Sequence, residues 1–468
     1  MNELSIVLNN QDKKHLYEQI YEYIKSEIKG GKLLVGERLP STRSLAGYLQ
    51  ISRSTVELAY EQLMAEGYLE SRPYKGFFVC KVEELYHIEV TETKKTKSQV
   101  IVPKKYEFEF SPNAVDLENF PYATWKRITK NTLNEDRGGL FSLGSAQGET
   151  ELRSTIARYL YSSRGVSCDR EQIIVGAGND YLLMLLNKIL GENRNIAMEN
   201  PTYPKAYRMF SSFGYKLTRI DMDESGMRVD CLSGSSADVA YVMPSHQFPT
   251  GIVMPIGRRT QLLKWAEAKE NRYIIEDDYD SEFRYKGKPI PALKASDSYE
   301  KVIYIGTFSK AIAPAIRISY MVLPLPLLQQ YQEKCAYLSS TVSRIDQSIL
   351  NDFIKNGYFE RHLNKMRKIY REKHDLMLLR LKRFEKSFHI MGDYSGLHFL
   401  IECRDGRSEK ELIEEAEKAK VKVYGMSAYD VFGQGIGKAA LLLGFADLTK
   451  DEIVKGLDLL EKVWLSTS

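Results

Sequence analysis

Apolar positions near the start of the chain fall on helical stripes. Between residues 12 and 30, Leu16, Ile20, Tyr23, Ile24 and Ile28 share one face, which predicts a helix closed by Gly30 and Gly31. Pro40 and Ser41 open a second short helix with Leu45, Ala46 and Leu49 inward. Ser52 is placed as the N-cap of a third, over 53–67, with Val56, Ala59, Tyr60 and Leu63 on its buried face. "YLESRPYKGFFV" then alternates, which predicts a two-stranded ribbon turning near residues 73–76.

Periodicity stops at residues 81–105, "KVEELYHIEVTETKKTKSQVIVPKK", which reads as an interdomain linker. Its Lys94, Lys95 and Lys97 are expected to be a solvated face rather than a site. Past residue 106, apolar runs alternate with amphipathic stretches: "QIIVGAG", "NIAMEN", "VAYVMPS", "RYIIEDD", "KVIYIGTFS" and "ISYMVLP". That order predicts a mostly parallel sheet with helices on both faces. From about Arg371 a charged helix leads into "SGLHFLIECR" and "AALLLGFADL", which suggests a smaller α/β domain. The expected division is 1–80, a linker at 81–105, and 106–468.

Composition changes this picture little. Of 468 residues, 43% are apolar and 27% charged, as in ordinary globular chains. No apolar run is long enough to span a bilayer and no signal pattern opens the chain, so the cytoplasm is the expected compartment, with no membrane partner. The five cysteines lack paired metal spacing and are expected to be reduced. Residues 1–80 hold ten Lys plus Arg against ten Asp plus Glu, so any DNA affinity must come from where the cations sit.

Two short helices followed by a ribbon can set one helix into a major groove. Ser52, Arg53, Ser54 and Thr55 stand at the start of that helix, whose N-terminus favours phosphate. Arg43 before it and Lys75 at the ribbon tip are placed to grip flanking backbone. A three-helix protein-interaction module with capping hydroxyls would use the same pattern. The stretch "GERLPSTRSLAGYLQISRSTVELAYEQLMAEGYLESRPYKGFFV" resembles the α+β winged helix-turn-helix of GntR-type bacterial regulators, over about seventy residues. That resemblance implies operator double-stranded DNA as partner, with Arg43, Arg53, Ser54, Thr55, Lys75 and Gly76 as contacts.

The second half carries different chemistry. Pyridoxal 5'-phosphate (PLP) needs a lysine for its aldehyde, an acid for its pyridine nitrogen and a phosphate clamp. "TFSKAIAPAIR" places Lys310 just after a strand, with Thr307, Ser309 and Arg317 nearby. Asp277 ends the strand "YIIEDD", and Tyr279, two residues on, points the same way and could hydrogen-bond the ring's phenolic oxygen. "VGAGND" is a strand-to-helix turn whose Gly178 and Asn179 amides can receive phosphate, and Tyr203 in "ENPTYP" could cover a ring. "GQGIGK" (433–438) lacks the strand and helix of a nucleotide loop and reads as a turn.

These segments, in this order, are similar to the α/β fold-type I aminotransferases over roughly residues 106–465. By that resemblance Lys310 forms the internal aldimine with PLP, Asp277 meets the pyridine nitrogen and Arg317 the phosphate. Aminotransferases often carry asparagine before "PTG"; here Phe248 stands there, with His246 and Gln247 as possible substitutes. They also often hold a substrate carboxylate with an arginine of the small domain. The corresponding position after "GMS" is Ala428, and no arginine follows Arg407, leaving Lys205 as a nearby cation. The fusion of both halves resembles the MocR/GabR subfamily of GntR-type transcriptional regulators. It implies a PLP-dependent regulator, forming a head-to-tail homodimer, that senses a small amine or amino acid, or PLP itself. A working aminotransferase with a DNA-binding appendage is the alternative.

Overall fold

The structure is a computed structural model of the chain. It describes residues 6–9, 14–81, 105–133, 135–285, 289–392, 396–435 and 437–465. The expected linker, with Lys94, Lys95 and Lys97, lies outside the described residues apart from its two ends. Two compact units divide the chain, residues 1–103 and 104–468.

In the first unit, helices Leu16–Lys29, Thr42–Leu49 and Arg53–Ala65 precede an antiparallel ribbon of Leu69–Arg72 and Gly76–Val79. Ile20, Ile24, Leu45, Val56, Tyr60 and Leu63 form the core between the helices. Ser41 and Ser52 cap the second and third helices by accepting from the amides of Ser44 and Thr55. Each satisfies a donor that the first helical turn would leave bare. The ribbon departs from its alternating pattern: only Leu69 and Val79 are buried. Those two residues pair with each other at the open end, and Phe77 adds an edge-on contact to Tyr60 of the helical core. Residues 71–75 at the tip are exposed.

The second unit is built on a seven-stranded sheet. In spatial order its strands are Ile173–Gly176, Ser319–Val322, Val302–Thr307, Tyr273–Asp278, Val239–Val242, Asn195–Glu199 and Lys216–Ile220. Ser319–Val322 runs antiparallel to both of its neighbours, and the remaining pairs are parallel. Val302, Ile303 and Tyr304 enter three different apolar clusters, so this strand is buried on both faces, as a parallel sheet under helices requires. The sequence pattern missed Lys216–Ile220, a polar edge strand with Ile220 alone fully buried.

A four-stranded antiparallel sheet of Phe388–Met391, His398–Cys403, Ala440–Gly444 and Tyr424–Gly425 forms the smaller part. Its long helix spans Tyr358–Leu381, so it begins well before Arg371. Gly357, at φ 71°, takes the left-handed turn that separates it from the preceding helix Arg344–Lys355, and Phe359, Leu363, Met366 and Tyr370 then bury one stripe. The strand Phe108–Glu109 pairs in parallel with Val421–Lys422, which fastens the start of this unit to its smaller part. The five cysteines are unbonded; Cys335 and Cys403 are buried, the others half-buried. Glycines 433, 435 and 437 all have positive φ in the turns before the last strand, as the reading of "GQGIGK" expects. Among the described residues no helix is long and apolar enough to cross a membrane.

Candidate functional site

Register brings the two halves of the larger site together. Tyr273–Asp278 and Val302–Thr307 are parallel neighbours with Asp277 opposite Ile305, so both strands end at the same carboxyl edge of the sheet. Alternation sends Asp277 and Tyr279 to one face and Glu276 and Asp278 to the other. Beyond Thr307 the chain turns, and the Thr307 hydroxyl accepts from the Ser309 amide at 3.2 Å and pairs with the Ser319 hydroxyl at 2.8 Å. Lys310 follows. It lines a cleft together with Asp277, Tyr279, Tyr203, Asn179, Thr307, Ser309 and Arg317. Gly178 stands at its edge with φ +88°; a Cβ there would come within 2.3 Å of the Arg317 guanidinium. Asn113, Asp180, Lys205, Met243 and Phe248 complete the lining.

Burial sets the chemistry of this cleft. Lys310 donates from Nζ to the carbonyl of Pro112 at 3.0 Å and has no carboxylate in hydrogen-bond reach among the described residues. Desolvation pushes its ammonium down to about 8, against a weaker upward pull from Asp280 and Asp447. Asp277 is driven the other way by the same burial, up to about 6, although it accepts from the Tyr241 hydroxyl at 2.5 Å and from Asn179 Nδ2 at 3.3 Å. A cation placed against Asp277 would restore its charge. Asn179 Oδ1 is buried with no partner among the described residues. Arg317 Nη2 reaches Asp180 Oδ2 at 3.1 Å, and the same oxygen takes Lys205 Nζ at 2.5 Å. The cleft thus offers a buried amine of lowered proton affinity, a buried acid lacking its counter-charge, and an arginine beside a helix N-terminus. That donor set fits a pyridoxal phosphate.

Tyr241 escaped the sequence reading because it sits in an apolar run, where an aromatic residue looks like core. The question left at "SHQFPTG" is now answered in part. Gln247 turns away, donating to the Pro201 carbonyl at 2.8 Å and accepting from Thr250. His246 turns inward: its Nδ1 is 2.9 Å from the Tyr279 hydroxyl and 2.9 Å from Asp280 Oδ2. Phe248 packs edge-on against Tyr203 and Tyr279. Ala428 is exposed, in the short turn Met426–Tyr429, and does not line the cleft.

In the first unit, Arg43, Arg53, Ser54 and Lys75 are exposed. Ser52 is exposed too but has a structural bond as cap, with further contacts to the hydroxyls of Ser54 at 2.9 Å and Thr55 at 2.8 Å. Arg53 pairs with Glu57 one turn along at 2.8 Å, a surface contact of little energetic weight. Gly76 takes φ +105°, and a Cβ there would lie 3.2 Å from Arg38 Nε, a residue the sequence reading did not single out.

Residues 109–458 match the class I and II aminotransferase family, and residues 16–79 the gntR family of bacterial regulatory proteins. The uncharacterized HTH-type transcriptional regulator YdeL of Bacillus subtilis is 40% identical, over 96% of each chain. The chain belongs to the MocR/GabR subfamily of GntR-type regulators. Another member-like relative is the probable rhizopine catabolism regulatory protein MocR of Rhizobium meliloti, 29% identical over 98% of this chain and 96% of that one. Among solved structures, the kynurenine aminotransferase of Pyrococcus horikoshii, in complex with PMP, superposes with a TM-score of 0.69 at 26% identity. It covers 78% of this chain and 92% of its own. A MocR-type regulator therefore carries a gntR-family helix-turn-helix ahead of an aminotransferase-like domain of fold type I.

Proposed function

We propose that this MocR-type chain binds PLP in the cleft around Lys310 and adjusts its grip on operator DNA when a small amine, an amino acid or PLP itself acts there. The observation that carries this reading is the buried Lys310 ammonium, held down to about 8, in one cleft with Asp277 and Arg317. When bound, the cofactor supplies an aldehyde that condenses with a primary amine and a ring that withdraws electrons from it. Lys310 supplies that amine. Asp277 holds a proton on the pyridine nitrogen, and Tyr203 stands beside the ring. The amide of Asn179, the hydroxyls of Thr307 and Ser309, and Arg317 hold the phosphate; the Gly178 amide, expected from the sequence to join them, donates instead to the Gly176 carbonyl at 2.8 Å. Arg43, Ser52, Arg53, Ser54, Thr55, Lys75 and Gly76 form the DNA surface.

Regulation is favoured over turnover because the relatives matched end to end are named as transcriptional regulators. A head-to-tail homodimer would present two reading heads to repeated half-sites, and sedimentation at micromolar concentration should then give twice 53.8 kDa. The deciding experiment loads the full chain with PLP, reduces it with borohydride and locates the label by peptide mapping. Label on Lys310, with operator affinity that changes on loading or on adding an amine, supports the reading. Label elsewhere, or operator binding indifferent to every ligand, overturns it.

A further inference from the structure

Phe248 leaves the cleft without the amide that asparagine would bring before "PTG". The same neighbourhood contains a buried polar set with no part in the binding scheme above. His246 and Asp280 are each 4% exposed, and Tyr279, half-buried, joins them to the cleft. His246 Nδ1 lies 3.1 Å and 2.9 Å from the two carboxylate oxygens of Asp280, and 2.9 Å from the Tyr279 hydroxyl. The imidazole is packed on two sides. Its ring stacks beside Tyr279 with centroids 5.9 Å apart, and a Cβ on Gly396 would come within 2.0 Å of its Cε1.

An ionised carboxylate only accepts hydrogen bonds, so Asp280 fixes the proton of His246 on Nδ1. That N–H also faces the Tyr279 oxygen. A hydroxyl that accepts on one side keeps its own proton free for another direction, and the remaining side of Tyr279 is the cleft. We infer that His246, held by Asp280, is a positioning residue that directs the Tyr279 hydroxyl proton into the cleft, toward the phenolic oxygen of a bound pyridoxal group. The pair would thereby replace, through Tyr279, the donor that an asparagine at Phe248 would give directly. Asp280 is also within hydrogen-bond reach of the Tyr279 hydroxyl and competes for its proton. The His246 N–H, set against both Asp280 oxygens, weakens that acceptor, and without it the proton would stay directed at Asp280 and the cleft would lose its donor.

The charged and titratable groups around this set are few. Asp277 and Asp278 come from the same strand end, and Lys310 from the lysine turn. His398 comes from the smaller sheet, with its ring 5.8 Å from His246 and its Nε2 on the Pro249 carbonyl at 3.0 Å. Arg164 and Arg284 line the small void that His246 and Asp280 share. Arg164 is committed to Asp278 at 2.8 Å, so it does not neutralise Asp280 by contact.

The inference rests on the PLP reading and is tested by the pH titration of the bound cofactor's visible band. A donor on the phenolic oxygen competes for that oxygen with the proton on the lysine nitrogen, so losing it should raise the midpoint. His246→Phe should raise it by about one pH unit. His246→Asn, whose amide N–H can stand where Nδ1 stands, should recover most of the shift. Gln247→Ala should leave the midpoint unmoved. In a Tyr279→Phe background, His246→Phe should add nothing, because its route to the cofactor is gone. If His246→Phe fails to fold, His246→Leu serves, with a shift in the same direction. A wild-type midpoint in these variants, or a shift that persists without the Tyr279 hydroxyl, overturns the inference. A wild-type chain with no lysine-bound band would instead overturn the PLP reading itself.

Discussion

The Lys310 ammonium and the Pro112 carbonyl are joined by a 3.0 Å hydrogen bond. Pro112 belongs to the first described stretch after the linker, where Phe110 donates its amide to the Lys422 carbonyl and Gly444 donates to Phe110. Covalent engagement of Nζ by an aldehyde would take away the donor that Pro112 has. Lys310→Ala should abolish the visible band and borohydride labelling. Amide exchange over residues 105–116 should rise on PLP loading in the wild-type chain and stay constant in Lys310→Ala. Equal responses of the two chains would break the link between Lys310 and this stretch.

A lysine whose ammonium is pushed down to about 8 reacts differently from one at the surface. Near pH 8 about half of the chains would carry the neutral amine, against well under about one in a hundred for an ordinary lysine. The rate of PLP capture by cofactor-free protein should therefore rise with pH through about 8 and then level. Stopped-flow absorbance would check it, and a rate still climbing in proportion to hydroxide beyond pH 9.5 would contradict it.

Asp116 and Lys373 form a buried ion pair at 2.9 Å, with Lys373 also donating to the Ala446 carbonyl at 2.7 Å. Burial alone would raise the Asp116 carboxyl, but Lys373 and the Asn119 bonds outweigh it, and it ends below its usual range. Its contribution to stability is present above the ordinary aspartate range and lost as pH falls through the lowered value. Lys373→Met strands that carboxylate and should cost about 3–5 kcal/mol in urea unfolding near pH 7, with part regained on acidification. A loss below about 1 kcal/mol, the range of surface pairs, would mean that water reaches Asp116.

For the DNA surface, Arg53→Ala with Lys75→Ala should weaken operator binding by about 1–3 kcal/mol for each lost base contact, with PLP binding unchanged. The two side chains lie in a unit distinct from the one that holds the Lys310 cleft. A gel-shift affinity equal to wild type would remove them from the interface.

Sequence made some of this site legible and hid the rest for physical reasons. Asp277 and Lys310 stand at the ends of apolar strands, where a charged residue conflicts with the pattern around it. Tyr241 does not conflict with "VAYV", and its bond to Asp277 spans 36 residues, so only the sheet register reveals it. His246 and Asp280 are 34 residues apart and meet because both follow adjacent parallel strands. The edge strand Lys216–Ile220 was missed because an edge exposes one side, and polar residues suit it.

A small carboxylate is gripped well by an arginine fork, with about 1.5–3 kcal/mol per charged hydrogen bond. Here the position after "GMS" is Ala428, exposed in its turn, and Arg407 is the last arginine in the chain, held by Asp405 at 2.7 Å and Glu415 at 3.0 Å. The cations of the cleft mouth, Lys205 and Arg317, share one carboxylate, Asp180. With a phosphate on Arg317, Lys205 could receive a carboxylate only by leaving Asp180, and a point charge gives no bidentate alignment. GABA and similar amino acids should therefore shift the spectrum of the PLP-loaded chain only at high concentration. Plain amines of the same length should do at least as well, since they lose nothing at an absent clamp. Sustained transamination should be slow, because a loosely held substrate is not aligned for proton transfer. The measurement is a spectral titration of the loaded chain with GABA, small L- and D-amino acids and plain amines. Lys205→Ala should change the amine curves little. Saturable conversion by GABA at micromolar levels would show that a carboxylate clamp exists after all.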